Sequence, residues 1–292
     1  MVTCASTGNA AASLAGYAAR AGLDCPIFVP GDLPDAKAVQ PTIYGATVFA
    51  VDGSYTGAYD LCATVAARRG WYNCSAAMNP YAAEGKRTLG FEIAEGTRDR
   101  PVNWVAMAMG NGCSLAGAWK GLWEFDRLGL ADGTPRMLGV QAAGAPAIHD
   151  AFQNETEPDE ERGEGADQAD GDRASDGTTA DSIDVRVPHN AGKACRALEE
   201  SGGTAITVGD DAILAAQRLL GRTEGVFVEP ASAAAVAGVE AARRRGVVAP
   251  GDRVVVVATG TGLKDPASAE QTADAPLTVA PDPGRVPPRS EW

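Results

Sequence analysis

Three short runs in this chain carry residue types that bind anions or aromatic rings, and each follows a strand-like apolar segment. They are Ser6-Thr7-Gly8-Asn9, Gly110-Asn111-Gly112-Cys113-Ser114 and Thr259-Gly260-Thr261-Gly262. Glycines let a backbone fold closely around a charged group, and helix N-termini present unpaired N–H groups. Because α/β proteins bind ligands at the carboxyl ends of parallel strands, we expect ligand contacts at all three runs.

The first run follows the apolar segment VTCA and opens an alanine-rich helical segment. The amides of Ser6, Thr7, Gly8 and Asn9 predict a carboxylate-binding turn, strengthened by the positive end of the helix dipole. Alternatively, Ser6 or Thr7 only caps the helix. Capping explains one hydroxyl, whereas a binding turn explains the whole run.

The second run, Gly110 to Ser114, also joins a strand to a helix and predicts a phosphate-binding loop. It is not the G-x-G-x-x-G of a dinucleotide site, and no acidic residue ends the next strand at 141–143. It is not a P-loop either, since no G-K-[ST] follows. A tight turn without a ligand is the alternative.

The third run places the Thr259 hydroxyl just after the last buried strand, where it can hydrogen-bond an aromatic ring nitrogen without protonating it. A glycine-rich turn out of the sheet is the alternative. The related run Glu229-Pro230-Ala231-Ser232 puts proline in the first turn of a helix and Glu229 near its positive end. A ligand role for Glu229 and a simple helix start are both open.

Apolar and helical segments alternate along the chain, which predicts an α/β fold with parallel sheets and helices on both faces. We expect two domains: residues 1–75 as a small one carrying the S-T-G-N turn, and 79–292 as a larger one. Residues 83–95 are expected to form one helix. Residues 154–178 are acid-rich and aperiodic, which predicts a disordered insertion, and the proline-rich residues 273–292 predict a loose tail.

Composition narrows the function classes. The net charge is -13, and segment 154–182 alone holds 11 acidic residues and two arginines, which argues against a nucleic-acid partner. Six cysteines without a C-x-x-C pair and two distant histidines argue against a metal site. No apolar stretch is long enough to cross a membrane and no basic leader occurs, so the cytoplasm is the expected compartment.

In the order of the chain, these runs resemble the threonine synthase branch of the fold-type-II enzymes that use pyridoxal 5'-phosphate (PLP). The resemblance covers residues 1–153 and 179–266. It rests on six motifs: ASTGNAAASLAGYAARAG, NPYAAEGKRTLGFEI, GNGCSLAGAWKGL, HNAGKACRALEESGG, GVFVEPASAAAVAG and VVVVATGTGLKDP. It implies a two-domain fold similar to the tryptophan synthase β subunit, with the cofactor between the domains. The implied reaction is conversion of O-phosphohomoserine and water to threonine and phosphate, and a homodimer is compatible with it.

The resemblance also implies residue roles. Ser6, Thr7 and Gly8 would bind the substrate carboxylate, and Asn9 would face the 3′-oxygen of PLP. The cofactor phosphate would lie on Gly110, Asn111, Gly112, Cys113 and Ser114, and Thr259 would meet the pyridine nitrogen. A neutral hydroxyl there would leave the nitrogen unprotonated and weaken the ring as an electron sink. Lys86 is placed with the substrate contacts, with a surface charge as its alternative.

Two of the departures of this sequence from the family bear on the reaction. The family's Schiff-base lysine lies upstream of the S-T-G-N turn, in a segment resembling N-P-T-G-S-F-K-D-R, so we expect this chain to be N-terminally truncated and to lack it. We therefore assign no catalytic residue. Ala82 also stands where an arginine precedes E-G-x-x-T, which leaves a serine/threonine dehydratase-like eliminase open. A noncatalytic remnant, or one part of a split enzyme, is a further alternative.

Overall fold

Two parallel four-stranded sheets form the framework of the chain. The computed structural model describes residues 1–288 apart from 32, 34, 54, 77 and 155–176. The first sheet has the strand order β3-β2-β1-β4 and the second the order β7-β6-β5-β8. Every strand pairing in both sheets is parallel, which confirms the α/β fold class.

The first sheet is built from residues 2–73 and is covered on both faces. Its strands are β1 Val2–Ala5, β2 Pro26–Pro30, β3 Thr47–Val51 and β4 Tyr72–Asn73. The helices are α1 Asn9–Ala21, α2 Asp35–Ile43 and α3 Tyr55–Arg69. Because side chains alternate along a strand, Ile27 packs towards α1 and Phe28 packs towards α3.

The second sheet carries the larger core. Its strands are β5 Trp104–Ala108, β6 Arg136–Ala142, β7 Thr204–Val208 and β8 Val254–Val256. Val105 and Met107 face one buried cluster, whereas Trp104 and Ala106 face the other. The helices are α4 Pro80–Gly85, α5 Arg87–Gly96, α6 Cys113–Arg127, α7 Ala147–Gln153, α8 Ala191–Glu200, α9 Asp210–Glu224, α10 Pro230–Arg244 and α11 Pro266–Glu270.

Two glycines fix the position of α6, the helix that begins at the second glycine-rich run. A Cβ added to Gly121 would lie 2.1 Å from the Arg87 carbonyl oxygen, and one added to Gly90 would lie 2.2 Å from that of Ala118. The backbones of α5 and α6 therefore touch at this crossing, which only glycine permits. Likewise Gly238 lets α10 approach Val140 of β6.

Helix 83–95 was predicted as one element, but the structure has two helices, α4 and α5, that meet at Lys86.

Most of the predicted disordered insertion 154–178 lies outside the described residues. Within the predicted tail, residues 273–288 contain one short 3-10 turn, Pro283–Arg285. Asp274 in this region binds Arg218 and Arg222 of α9. The domain boundary between residues 75 and 79 stays a prediction.

The cysteines of the first sheet should react slowly with alkylating agents while the protein is folded. Burial raises the pKa of Cys25 to about 11 and raises the pKa of Cys4 and Cys62 as well. At pH 8 a rise of two units lowers the reactive thiolate fraction of Cys25 about 100-fold. Since the folded-state pKa is raised, these thiols favour the folded state below about pH 9 and disfavour it above. Iodoacetamide labelling followed by mass spectrometry, with and without urea, measures this; equal rates in both conditions would contradict it.

Candidate active site

Both sheets reverse their strand order beside a predicted ligand-binding run. In the first sheet the chain proceeds from β1 to β2 and β3 on one side and then places β4 on the other side of β1. In the second sheet β6 and β7 lie on one side of β5, and β8 lies on the other. Ligands bind at such switch points in open α/β sheets. The S-T-G-N turn follows β1, whereas the other two runs follow β5 and β8.

The turn Ser6–Asn9 has free backbone donors at the start of α1. The amides of Thr7, Asn9 and Ala10 have no acceptor among the residues that the structure describes. Gly8 is the residue before the helix, and its backbone N–H donates to the Ser6 hydroxyl oxygen at 3.3 Å. Its carbonyl oxygen accepts the first hydrogen bonds of the helix, from Ala11 and Ala12. This geometry suits a carboxylate, since several amide N–H groups converge next to the positive end of a helix.

The loop Gly110–Ser114 is a second cradle of free amides. Gly112 has a φ of 81°, and a Cβ there would lie 2.8 Å from the Cβ of Ala194 and 2.9 Å from the Asn190 carbonyl oxygen. No described acceptor takes a hydrogen bond from the amides of Gly110 to Ser114. The left-handed glycine therefore turns the loop so that its N–H groups remain available to an anion.

Asn190 adds a buried donor beside this loop. Its backbone N–H bonds the Asn111 carbonyl at 3.1 Å, and its side chain is 1% exposed. Lys193 donates to Asn190 Oδ1, which fixes the amide orientation, and Asn190 Nδ2 has no partner among the described residues. A buried unpaired donor is costly, so its position next to the loop indicates a ligand acceptor. Sequence reasoning did not single out Asn190.

Thr259 is tied to the start of α10. Its backbone N–H and that of Gly260 donate to the Ser232 hydroxyl at 2.8 and 3.0 Å. Its own hydroxyl lies 2.9 Å from Ser232 Oγ and donates to Glu229 Oε1 at 3.1 Å. The Glu229 carboxylate is 5% exposed and lies directly over Gly260, where a Cβ would be 2.3 Å from it.

Asn9 extends this network across to the first sheet. Asn9 Nδ2 donates to Glu229 Oε1 at 2.9 Å, and Lys264 Nζ donates to Asn9 Oδ1 at 2.5 Å. If the Asn9 amide were reversed, its NH₂ group would face the Lys264 amine, donor against donor, and its oxygen would face the Glu229 carboxylate, acceptor against acceptor. These two neighbours therefore fix the orientation of the Asn9 side chain. Residues from both switch points thus form one hydrogen-bonded chain.

A second long-range contact lies beside this network, where Lys37 of α2 forms an ion pair with Asp181; both residues line the same cavity as Glu229. The Lys37 side chain is 7% exposed. Burial lowers the pKa of its amine, while the nearby carboxylates of Asp265 and Glu229 act in the opposite direction. No motif marked Lys37 or Asp181, because they are paired only by the tertiary fold.

Two cavities are lined in part by the S-T-G-N turn. The first contains Thr7 and Gly8 together with Lys37, Glu229 and Lys264. The second places Ser6 opposite Asn111 of the glycine loop, with Tyr59 stacked on His189 at 4.9 Å between ring centroids. Ser6 of the first run and Asn111 of the second therefore line one cavity, and Thr259 donates to Glu229, which lines the other.

Lys86 and Cys113 are two predicted residues whose side chains do not face the network described above. Lys86 lies between α4 and α5, where its amine donates to the Ala82 carbonyl at 3.2 Å and its Cβ faces Gly117 of α6. It does not line either cavity, and its substrate role stays a prediction. Cys113 is buried at the first position of α6, so its backbone amide, rather than its thiol, is suited to a phosphate.

These features fit PLP. The free amides of Gly110–Ser114 and the unpaired Asn190 Nδ2 can hold its phosphate, Thr259 provides a hydroxyl for the ring, and Asn9 has a second amide hydrogen for the 3′-oxygen. Among the described residues there is no group of three His, Cys, Asp or Glu side chains that could hold a metal ion. In the same part of the chain, no helix is long and apolar enough to cross a membrane.

Comparison with known proteins identifies the family. The family model described as pyridoxal-phosphate dependent enzyme matches residues 1–260, which include both sheets, the first two runs and Thr259 and Gly260 of the third. The chain belongs to this family of PLP-dependent enzymes. Its resemblance to threonine synthases is also confirmed: it is 37% identical to a threonine synthase of Methanocaldococcus jannaschii over 97% of this chain and 67% of the relative. A threonine synthase of Mycobacterium tuberculosis is 38% identical over 98% of this chain and 74% of the relative.

Solved structures share the fold of this family member. An L-serine ammonia-lyase of Rhizomucor miehei superposes with a TM-score of 0.76 at 18% identity, over 93% of this chain and 81% of that one. At this identity the likeness concerns the fold alone. The chain spans about two thirds of the length of the Methanocaldococcus relative.

Proposed function

We propose that the protein containing this chain is a PLP-dependent lyase that converts O-phosphohomoserine and water to threonine and inorganic phosphate. The similarity to threonine synthases over 97–98% of the chain supports this substrate. The observation that carries the proposal is the hydrogen-bonded chain Lys264–Asn9–Glu229–Thr259, which joins the two switch points around one cleft.

Each part of the cleft has a separate task in this proposal. PLP, when bound, supplies an electron sink for the bonds around the substrate's α-carbon. The amides of Thr7, Asn9 and Ala10 bind the substrate carboxylate, and the loop Gly110–Ser114 with Asn190 binds the cofactor phosphate. Asn9 orients the ring from one side and Thr259 from the other. Holding the reacting groups in fixed positions is a major source of rate enhancement.

We also propose that none of the five lysines of this chain anchors the cofactor covalently. All five amines already have partners: Lys37 binds Asp181, Lys86 binds the Ala82 carbonyl, Lys120 binds Glu84, Lys193 binds Asn190 and Lys264 binds Asn9. Borohydride reduction of the PLP-loaded protein and peptide mapping test this. Stoichiometric labelling at one of the five would overturn it.

A dehydratase acting on serine or threonine is the second candidate. It is favoured by Ala82, which stands at a position where the resemblance implies an arginine for the substrate phosphate. A noncatalytic remnant, or a part of a split enzyme, is the third candidate. The chain's own geometry gives the three candidates the same cofactor cleft, so only the reaction separates them.

Measurement of both products separates these candidates. With the purified PLP-loaded protein we expect inorganic phosphate and threonine in equal amounts from O-phosphohomoserine, and little ammonia from serine or threonine. Ammonia without phosphate would establish the dehydratase instead. PLP binding without turnover of any of the three amino acids would support the remnant. The matched control is Lys120→Ala, whose amine pairs with Glu84 and lies outside both cavities, and which should keep the product ratio.

A further inference from the structure

The two cavities beside the S-T-G-N turn differ greatly in size. The one that contains Thr7 and Gly8 has a volume of about 10 Å³, whereas the one that contains Ser6 has a volume of about 100 Å³. A single water molecule occupies about 10–15 Å³ of such a cavity. The smaller cavity therefore has no room for a substrate side chain, whereas the larger one has room for several atoms.

The larger cavity is lined by neutral groups. Among the described residues that line it there is no Lys, Arg, Asp or Glu. Burial raises the pKa of Tyr55 to about 12 and also raises the pKa values of Tyr59 and Cys74, so these side chains are uncharged near neutral pH. A charged group in this cavity would find no opposite charge to pair with. The cavity thus gives a charged substituent no advantage over an uncharged one.

Neutral hydrogen-bond donors lie at the end of the cavity that faces the two glycine-containing runs. Ser6 Oγ accepts from the Gly8 N–H, and its own hydrogen has no acceptor among the described residues. Asn111 Oδ1 accepts from the His189 backbone N–H at 3.3 Å, which leaves the two hydrogens of Asn111 Nδ2 for a ligand. A carbonyl oxygen of an ester can accept from these donors as well as a phosphate oxygen can.

We propose that the larger cavity is the side-chain site of the amino-acid substrate, and that it accepts uncharged γ-substituents such as a carboxylic ester as well as a phosphate. Ser6 belongs both to the S-T-G-N turn and to the cavity. A substrate whose carboxylate binds the turn therefore places its side chain next to this space. The inference rests on the proposed function, because it takes the turn as the carboxylate site, and it widens the substrate class to O-acyl esters of homoserine.

The proposed reaction extends to such an ester without a further reactant. From O-acetyl-L-homoserine and water the products are threonine and acetic acid. The bond between Cγ and the ester oxygen breaks, and its electron pair leaves with acetate. The hydroxyl of water replaces one hydrogen on Cβ, Cγ gains one hydrogen, and the remaining proton goes to acetate. All atoms of the ester and the water are thus found in the products, and no oxidant or reductant is needed.

Binding of two unreactive analogues tests the cavity without turnover. L-2-amino-5-phosphonopentanoate ends in a charged phosphonate, and L-2-amino-6-oxoheptanoate carries an uncharged methyl ketone on the same carbon chain. We use the PLP-loaded protein at pH 8.0, where an ordinary imidazole is neutral, and expect the ketone to bind at least as tightly as the phosphonate in calorimetric titrations. A phosphonate that binds more than ~10-fold more tightly than the ketone, as a charge-assisted contact would cause, would overturn the inference. Binding of neither analogue would overturn it as well.

Ala76→Arg adds a cation to the wall of this cavity. It should tighten binding of the phosphonate by about 10-fold or more and leave binding of the ketone nearly unchanged, because hydrogen bonds to charged groups are the stronger ones. The matched control is Ala67→Arg, since Ala67 is exposed on α3 and lies outside both cavities. This control should keep the wild-type ratio of the two affinities. The same ratio in Ala76→Arg and Ala67→Arg would contradict the placement of the side chain, and if Ala76→Arg does not fold, the wild-type ratio decides.

Turnover separates this inference from the proposed function. Release of acetate from O-acetyl-L-homoserine, together with release of phosphate from O-phosphohomoserine, would support both. Phosphate release combined with a preference for the phosphonate above ~10-fold would overturn the inference and leave the proposed function standing. Tight binding of the ketone without phosphate release from O-phosphohomoserine would support the neutral side-chain site and overturn the proposed function.

Discussion

Replacement of Gly112 by alanine should weaken PLP binding by about 30-fold to about 4,000-fold. The left-handed φ of 81° costs a residue with a Cβ about 1–2 kcal/mol, and the contacts at 2.8 and 2.9 Å to Ala194 and Asn190 add about 1–3 kcal/mol. The loop can relieve both costs only by moving away from α8. This movement would turn the backbone amides of the loop away from the cofactor phosphate. Since 1.4 kcal/mol corresponds to a factor of ten, the sum gives the expected loss. Fluorescence or absorbance titration with PLP measures it.

Gly221→Ala is the control for this prediction. Gly221 lies within α9, and no atom lies within 4 Å of its added Cβ. Alanine in a helix interior is favoured over glycine by about 0.5–1 kcal/mol, so this variant should bind PLP normally and unfold at a slightly higher temperature. If Gly112→Ala bound PLP as tightly as Gly221→Ala, the assignment of the phosphate to this loop would be wrong.

Asn9→Asp should have a comparably large effect although the two side chains have almost the same shape. The new carboxylate would face Glu229 at the 2.9 Å now spanned by a hydrogen bond. Juxtaposed like charges cost several kcal/mol, so we expect the contact between the first sheet and α10 to open and PLP affinity to fall at least ~30-fold. Titration with PLP and the rate of proteolysis of the unliganded protein measure the two effects.

The paired variant Asn9→Asp with Glu229→Gln makes this prediction specific. The carboxamide at 229 can donate to the carboxylate at position 9, so the double variant should recover at least ~10-fold of the lost affinity; such coupling is expected only between residues in contact. Additive losses in the double variant would show that Asn9 and Glu229 do not act on each other in solution.

Local patterns predicted the elements that carry the site. The apolar segment VTCA coincides with β1, and the glycine-rich runs were predicted at strand ends, where the structure places them. Each of these sequence patterns lies within a few residues of the strand or loop that it predicts. The helix predicted for residues 83–95 is divided at Lys86, because α4 and α5 each pack against α6, and hydrophobic spacing does not encode that contact.

The contacts between the distant parts of the site could not be predicted from the sequence. Asn9 and Glu229 are 220 positions apart, and Lys37 and Asp181 are 144 positions apart, so no spacing rule relates them. For Glu229 the sequence left a ligand role and a simple helix start equally open and did not indicate its contact with Asn9. Asn190 gave no signal, because an asparagine before a helix is usually a cap, and only burial shows that its Nδ2 lacks a partner.

The position of bound PLP tests the central claim most directly, and a crystal structure of the PLP complex would show it. We expect the cofactor phosphate within hydrogen-bond distance of the amides of Gly110–Ser114. The ring nitrogen should face Thr259 Oγ1, and the 3′-oxygen should face Asn9 Nδ2. A phosphate bound at the S-T-G-N turn, or a ring without contact to Thr259, would contradict the assignment of these three runs to one cofactor.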